Sequence, residues 1–292
     1  PALASHAAAD SLLCVYLMPK SRPWCNMTGL GGQRDRFLRE SLGDLKQALN
    51  EQGQDLLVLE GSPELVIPDL VKRYGISDLS LSFAPGYYER KTREHLDYRL
   101  GIAVHSYRSN TLFDRDVLPF ELEQLPDSFS KFRRKIEDQS VRSPSTAPER
   151  LPPPPAAQFD AIPRAAALPN PALPLPGGRK AGLRRLRQFL FDEESISEYK
   201  LTRNCLDGLD GSSTLSPWLA NGNLSVREVA HEIFRFERER HSNESTYWLY
   251  FELLWREFFH WRAIVDDVSL FRMGGVPRRV RGCTFEPRTF AR

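Results

Sequence analysis

The sequence predicts an α/β domain with a doubly wound parallel sheet, followed by an all-α domain. Three observations carry this reading. Up to Tyr107, short apolar runs alternate with amphipathic stretches, the pattern of strands joined by crossover helices. A proline-dense stretch then covers residues 140–176. Beyond it, apolar residues recur at helical spacing.

The elements follow in order. Residues 11–18 (SLLCVYLM) form an apolar run fit for a strand buried on both faces. In residues 34–52, Phe37, Leu38, Leu42, Leu45 and Leu49 fall on one helical face, and Gly53 ends it. Residues 56–60 (LLVLE) read as the second strand. Ser62, Pro63 and Gly75 bracket a helix over residues 63–74, with Pro in the first turn and Gly at the close. A strand over residues 79–83, a helix over 88–100 and a strand over 103–107 complete the alternation. Residues 118–137 read as a loop and then a helix. Proline denies hydrogen bonds to helix and sheet, so residues 140–176 are expected as an extended connector strapped over the surface. The predicted domains are therefore 1–139 and 177–292. Residues 177–204 read as a helix whose leucines face a core while Arg179, Lys180, Arg184, Arg185 and Arg187 face water, a basic face open to a phosphate backbone.

Composition sets limits. A chain of 292 residues, 41% hydrophobic and 27% charged, suits a soluble globular protein. A net charge of +2 does not argue for nucleic acid by itself, so any DNA contact must rest on a local patch. Cys14, Cys25, Cys205 and Cys283 form no CxxC pair, which points to reduced thiols in the cytoplasm. No apolar run reaches spanning length and no membrane contact is expected. His231, His241 and His260 show no metal-ligand spacing, and no metal site is expected. A start at Pro1 and an end at Arg292 read as a piece of a longer protein.

The chemistry gathers in residues 211–261. Ser212, Ser213, Thr214 and Ser216 crowd a loop just ahead of Pro217, a place where hydroxyls and backbone amides can face an anion. Behind it, Trp248, Leu249, Phe251, Leu253, Leu254, Trp255, Phe258, Phe259 and Trp261 cover every face of a helix, which is expected to lie inside a helical body. Glu252 and Arg256 sit one turn apart within it, as an ion pair or as ligand contacts.

Residues 211–225 (GSSTLSPWLANGNLS) and 245–259 (STYWLYFELLWREFF) resemble the photolyase/cryptochrome family, and within it the DASH-type cryptochromes. The likeness extends to residues 34–45 (RDRFLRESLGDL), 118–137 (LPFELEQLPDSFSKFRRKIE), 177–186 (GGRKAGLRRL) and 198–204 (EYKLTRN). It implies FAD held in the helical domain, with Tyr199 beside the flavin and Ser212, Ser213, Thr214, Leu215 and Ser216 in the diphosphate loop. Thr214 departs from the family's basic residue there, and Gly211 from its aromatic. By the same resemblance Glu252 and Trp255 contact a damaged pyrimidine pair, Glu252 also lies at the cofactor, and Arg256 sits near the flavin.

The implied activity is that of a deoxyribodipyrimidine photo-lyase, a monomer repairing cyclobutane pyrimidine dimers in single-stranded DNA. A blue-light receptor with little repair, and a flavin-free interaction module, are the other readings. The α/β domain of the family often carries a methenyltetrahydrofolate antenna. Here the loop after residues 79–83 reads APGYYE, with Pro85 where an acidic residue is usual, so the folate is not expected; Glu89 is read as a helix-start glutamate rather than a substitute. The family's first strand would precede Pro1, and its helices beyond Arg292 complete the flavin pocket, so these residues alone are expected to be inactive and not to retain FAD stoichiometrically.

Overall fold

The computed structural model describes residues 1–19, 29–163, 165, 175–205 and 211–272. A short helix α1 (Ala2–Ser5) precedes β1 (Cys14–Met18), α2 (Gly32–Asn50) and β2 (Leu56–Glu60). Then come α3 (Pro63–Tyr74), β3 (Asp78–Ser82), α4 (Tyr87–Leu100) and β4 (Ala103–Tyr107). β1 pairs with β2 in parallel, Cys14 opposite Leu56 and Met18 opposite Glu60. β3 pairs with β4 in parallel, Asp78 opposite Ala103. The four described strands thus form two parallel pairs rather than one sheet, each pair a strand–helix–strand unit with α3 between the units.

Strand alternation sends side chains to two helical layers. Val15, Leu17, Leu57 and Leu59 of the first pair, and Leu79 and Leu81 of the second, pack with Ile67 and Leu70 of α3 and Leu96 of α4. Cys14, Tyr16, Leu56 and Val58 meet Leu38, Leu42 and Leu49 of α2 on the other side. The α/β domain is therefore doubly wound, as expected. Gly75, in the left-handed region at φ +61°, closes α3, and the amide of Ile76 returns to Val71 O at 3.1 Å. Ser62 gives α3 no side-chain cap; its hydroxyl bonds the Glu64 carboxylate instead.

The described part of the proline-rich segment is a strap. Val141 enters the helical core and Leu151 the α2 core. Proline lacks a donor but keeps its carbonyl. Gln54 Nε2 donates to Pro152 O at 2.7 Å, and the amide of Leu12 donates to Pro153 O at 3.0 Å. At its far end, the amides of Gly177, Gly178 and Arg179 donate to Glu40, Ser41 and Asp44 of α2, at 2.7, 2.9 and 2.7 Å. Only glycine fits there, since a Cβ on Gly177 would lie 2.0 Å from Phe37 O.

The helical body comprises α5 (Phe129–Ile136), α6 (Arg179–Arg187), α7 (Tyr199–Thr202), α8 (Ser216–Asn221), α9 (Val226–Glu239) and α10 (Glu244–Asp266). The helix expected over residues 177–204 is broken: a wide π turn covers Gln188–Asp192 and a 3-10 turn Ser195–Glu198 before α7 begins. Helix α10 starts in a capping box. Asn243 Oδ1 accepts the amides of Ser245 and Thr246 at 2.8 and 2.9 Å, and Thr246 Oγ1 accepts that of Asn243 at 3.1 Å.

Leu249, Leu253, Leu254, Phe258 and Trp261 of α10 are buried with Phe132, Phe189, Ile233 and Phe236. The expectation of burial on every face is not met. Trp248, Phe251 and Trp255 are half-buried and Phe259 is 58% exposed. Trp248, Glu252, Trp255 and Phe259 follow the i, i+4, i+7, i+11 spacing of a single helix face, so the exposed flank is a continuous aromatic stripe holding one carboxylate.

Residues 110–114 join the strands to this body through buried bonds. Arg256 Nη1 donates to Asn110 O at 2.6 Å, and Arg227 of α9 donates to Thr111 O at 2.8 Å and Asp114 at 2.7 Å. Glu257, fully buried, accepts the amides of Leu112 and Phe113 at 2.8 and 3.3 Å and the indole N–H of Trp261 at 2.7 Å.

Candidate functional site

Two clusters meet where α6, α7 and the loop before α8 face α10. The first surrounds the hydroxyl loop. Arg185, expected in solvent with the other arginines of α6, is only 9% exposed. Leu186 and Ala181 anchor the same helix in the core, which turns Arg185 under the loop. There Nη2 donates to Ser212 O at 3.0 Å, and Nε to Ser213 O at 3.2 Å and Thr214 Oγ1 at 3.1 Å. Thr214 Oγ1 in turn donates to Ser213 O at 2.7 Å, and Thr214 is left-handed at φ +53°. Leu215 plugs the core at 2% exposure and holds the loop's far end.

Tyr199 is buried and packs edge-on to Phe189 at 5.8 Å. Burial, reinforced by the negative charge of Glu252, pushes its phenol pKa above the usual value. Arg203 and hydrogen bonds to Ser212 and Ser213 pull the other way. The phenol therefore stays protonated at neutral pH and carries a proton to donate.

The second cluster is built on Glu252. Arg203 Nη1 donates to Glu252 Oε1 at 2.8 Å, and Trp248 Nε1 donates to the same oxygen at 3.1 Å. The Lys200 ammonium and Arg203 guanidinium lie 5.0 and 5.1 Å from the Trp248 ring centre, within cation–π range. Glu252 and Arg256 do not pair, although their spacing permits it; Arg256 is drawn to Asn110 O on the other side of the helix. Trp255 stacks on Phe129 at 3.7 Å, ring planes 14° apart, and on Phe259 at 5.5 Å.

The structure thus brings Tyr199, Ser212, Ser213, Thr214 and Glu252 together and sets Trp255 one turn along the same face. It does not bring in Ser216 or Arg256. Ser216 is exposed and lines a separate groove of about 540 Å³ with Tyr16, Arg34, Arg36, Phe37 and Asn221. Arg256 belongs to the seam described above. Arg185, Arg203 and Glu257 were not singled out as functional from sequence. Glu89 lies in the first turn of α4 with its carboxylate folded over Gly86, the helix-start position the sequence suggested. Among the described residues no group of three or more potential ligands could hold a metal ion, and no helix is long and apolar enough to cross a membrane.

The donor set around the loop fits a diphosphate. Two serine hydroxyls and a phenol gather there, and a buried guanidinium stands behind the loop. The stripe on α10 offers a flat aromatic face and an acceptor beside it, which suits a base.

Comparison with known proteins agrees in kind. A family model described as DNA photolyase matches residues 1–155. The chain is 36% identical to the Cryptochrome DASH of Natronomonas pharaonis over 288 residues, covering 94% of this chain and 61% of that protein. It is 36% identical to the Cryptochrome DASH of Synechocystis sp. over 294 residues, covering 94% and 59%. The crystal structure of a Synechocystis cryptochrome superposes with a TM-score of 0.82 at 35% identity, over 91% of this chain and 58% of that one. A class III photolyase from Agrobacterium tumefaciens shares the fold, with a TM-score of 0.68 at 20% identity over 87% and 53%. The chain therefore spans roughly three fifths of the length of the curated relatives it matches.

Proposed function

This chain belongs to the photolyase/cryptochrome family, and within it to the DASH-type cryptochromes, and from that premise we propose that it serves the light-driven repair of cyclobutane pyrimidine dimers, mainly in single-stranded DNA. The observation that carries the reading is the aromatic stripe of α10, with Glu252 in its middle, lying beside the hydroxyl loop and Tyr199. FAD, when bound and reduced, would absorb the light and lend the electron that opens the dimer, taking it back once the ring has opened. Everything else falls to side chains. Ser212 and Ser213 hold the diphosphate with their hydroxyls and Thr214 with its backbone amide, and Tyr199 offers its phenol proton at the flavin side. Glu252 accepts from the edge of the damaged pair, and Trp255 offers a flat face. In a single strand the damaged pair is already free of a partner strand, so little unstacking energy is needed to reach the stripe. The protein is read as a cytoplasmic monomer with Cys14 and Cys205 as free thiols.

A second reading, a blue-light receptor with little repair, has its own support. Phe129 already stacks on Trp255, and Arg203 already holds Glu252, so both lesion contacts have protein partners. Illumination of an oligonucleotide containing one dimer, with chemically reduced FAD supplied, separates the two. Repair under blue light, lost in Glu252→Ala while flavin binding persists, supports the first; light-dependent change in the protein with the dimer intact supports the second.

A further inference from the structure

We propose that Arg185 is the positioning residue of the diphosphate loop: it supplies from beneath the positive charge that Thr214 lacks, and it turns the loop's amides toward the ligand. The inference rests on the flavin reading above. Arg185 Nη2 and Nε hold Ser212 O and Ser213 O at 3.0 and 3.2 Å. In a trans peptide the carbonyl and the following N–H point in opposite directions. Drawing these two carbonyls back toward α6 therefore sends the amides of Ser213 and Thr214 out of the opposite side of the loop. Neither amide has a hydrogen-bond acceptor among the described residues.

Backbone shape adds to this. Thr214 at φ +53° followed by Leu215 at φ −73° is a left–right pair, which curls successive amides into a concave anion-binding turn. A threonine resists the left-handed region. The bonds from Arg185 to Thr214 Oγ1 and from Thr214 Oγ1 to Ser213 O hold it there. A guanidinium 9% exposed is also screened less by salt than a surface lysine in front of the loop would be. The ligand class is a nucleotide diphosphate, and the flavin ring takes no part in the interaction.

The test titrates FAD, ADP and riboflavin into the unaltered protein and into Arg185→Met, Arg185→Lys and Thr214→Val. Arg185→Met is expected to weaken FAD and ADP about tenfold to a hundredfold while riboflavin changes by less than about twofold. Arg185→Lys keeps the charge without the two-pronged grip and falls between. Thr214→Val removes the hydroxyl that ties the loop to Arg185 without altering charge, and is expected to weaken FAD and ADP but not riboflavin. Equal weakening of all three ligands in Arg185→Met, or no change in FAD and ADP, overturns the proposal. Should Arg185→Met fail to fold, Thr214→Val and Arg185→Lys decide: FAD and ADP affinities unchanged in both overturn it. An unaltered protein that binds neither FAD nor ADP overturns the flavin reading itself, and this inference with it.

Discussion

Glu252 accepts from Arg203, the residue that caps the end of α7, at 2.8 Å, and not from Arg256 one turn along its own helix. That choice ties the carboxylate to the element carrying Tyr199, so Glu252 and the Tyr199 phenol share one support. Removing either partner should show it. Both side chains are about a third exposed, which limits the pair to roughly 0.5–1 kcal/mol. A double-mutant cycle with Arg203→Ala and Glu252→Gln, read by urea unfolding, is expected to return coupling of that size. Additive effects would mean the bond contributes nothing.

Glu257 sets a pH dependence. Burial lifts its carboxyl to about 7 from 4.5, against the pull of the Leu112, Trp261 and Phe113 donors and of Arg256. A carboxyl raised in the folded state favours folding below its unfolded value, and that contribution is lost as pH rises through about 7. His260 acts oppositely: burial and Arg256 lower it to about 4, so its contribution is lost as pH falls from 6.5 toward 4. Urea midpoints of the unaltered protein and Glu257→Gln, compared from about pH 5 to about pH 8, cancel the His260 effect. The unaltered protein is expected to lose ground to the variant as pH rises; parallel curves would contradict this.

The two described thiols should differ in reactivity. Burial pushes Cys14 up to about 11, while Cys205 lies exposed just ahead of the hydroxyl loop. Brief iodoacetamide treatment followed by peptide mass spectrometry is expected to find Cys205 modified well before Cys14. Equal labelling would mean the β1 face opens readily.

The capping box of α10 holds up the helix bearing Glu252 and Trp255. Asn243→Ala removes the acceptor for two amides and is expected to cost about 1 kcal/mol, lowering the melting temperature by roughly 2–4 °C. An unchanged melting temperature would assign the helix start to packing alone.

Local signals were legible in the sequence. β2, α3 and β4 fall at the predicted bounds, because apolar runs and the Ser62–Pro63…Gly75 punctuation are read within a few residues. What stayed hidden depends on partners far along the chain. Arg185 sits among basic residues that suggest a solvated face, and only the placement of residues 212–214, 27 to 29 positions on, shows it as a buried strut. Glu257 reads as one more glutamate on a helix until the amides of Leu112 and Phe113 arrive from 145 and 144 positions away. The Glu252–Arg256 spacing left an ion pair or ligand contacts open, and spacing gives only the option of contact. Arg203 and Asn110 O took the two groups in opposite directions.

Hydrogen–deuterium exchange with and without excess FAD tests most directly where the dinucleotide lies. Slowed exchange is expected across residues 199–203 and 211–216, with residues 110–114 unchanged. Protection confined to the groove beside Phe37 and Ser216, or none at the hydroxyl loop while FAD is bound, would contradict it.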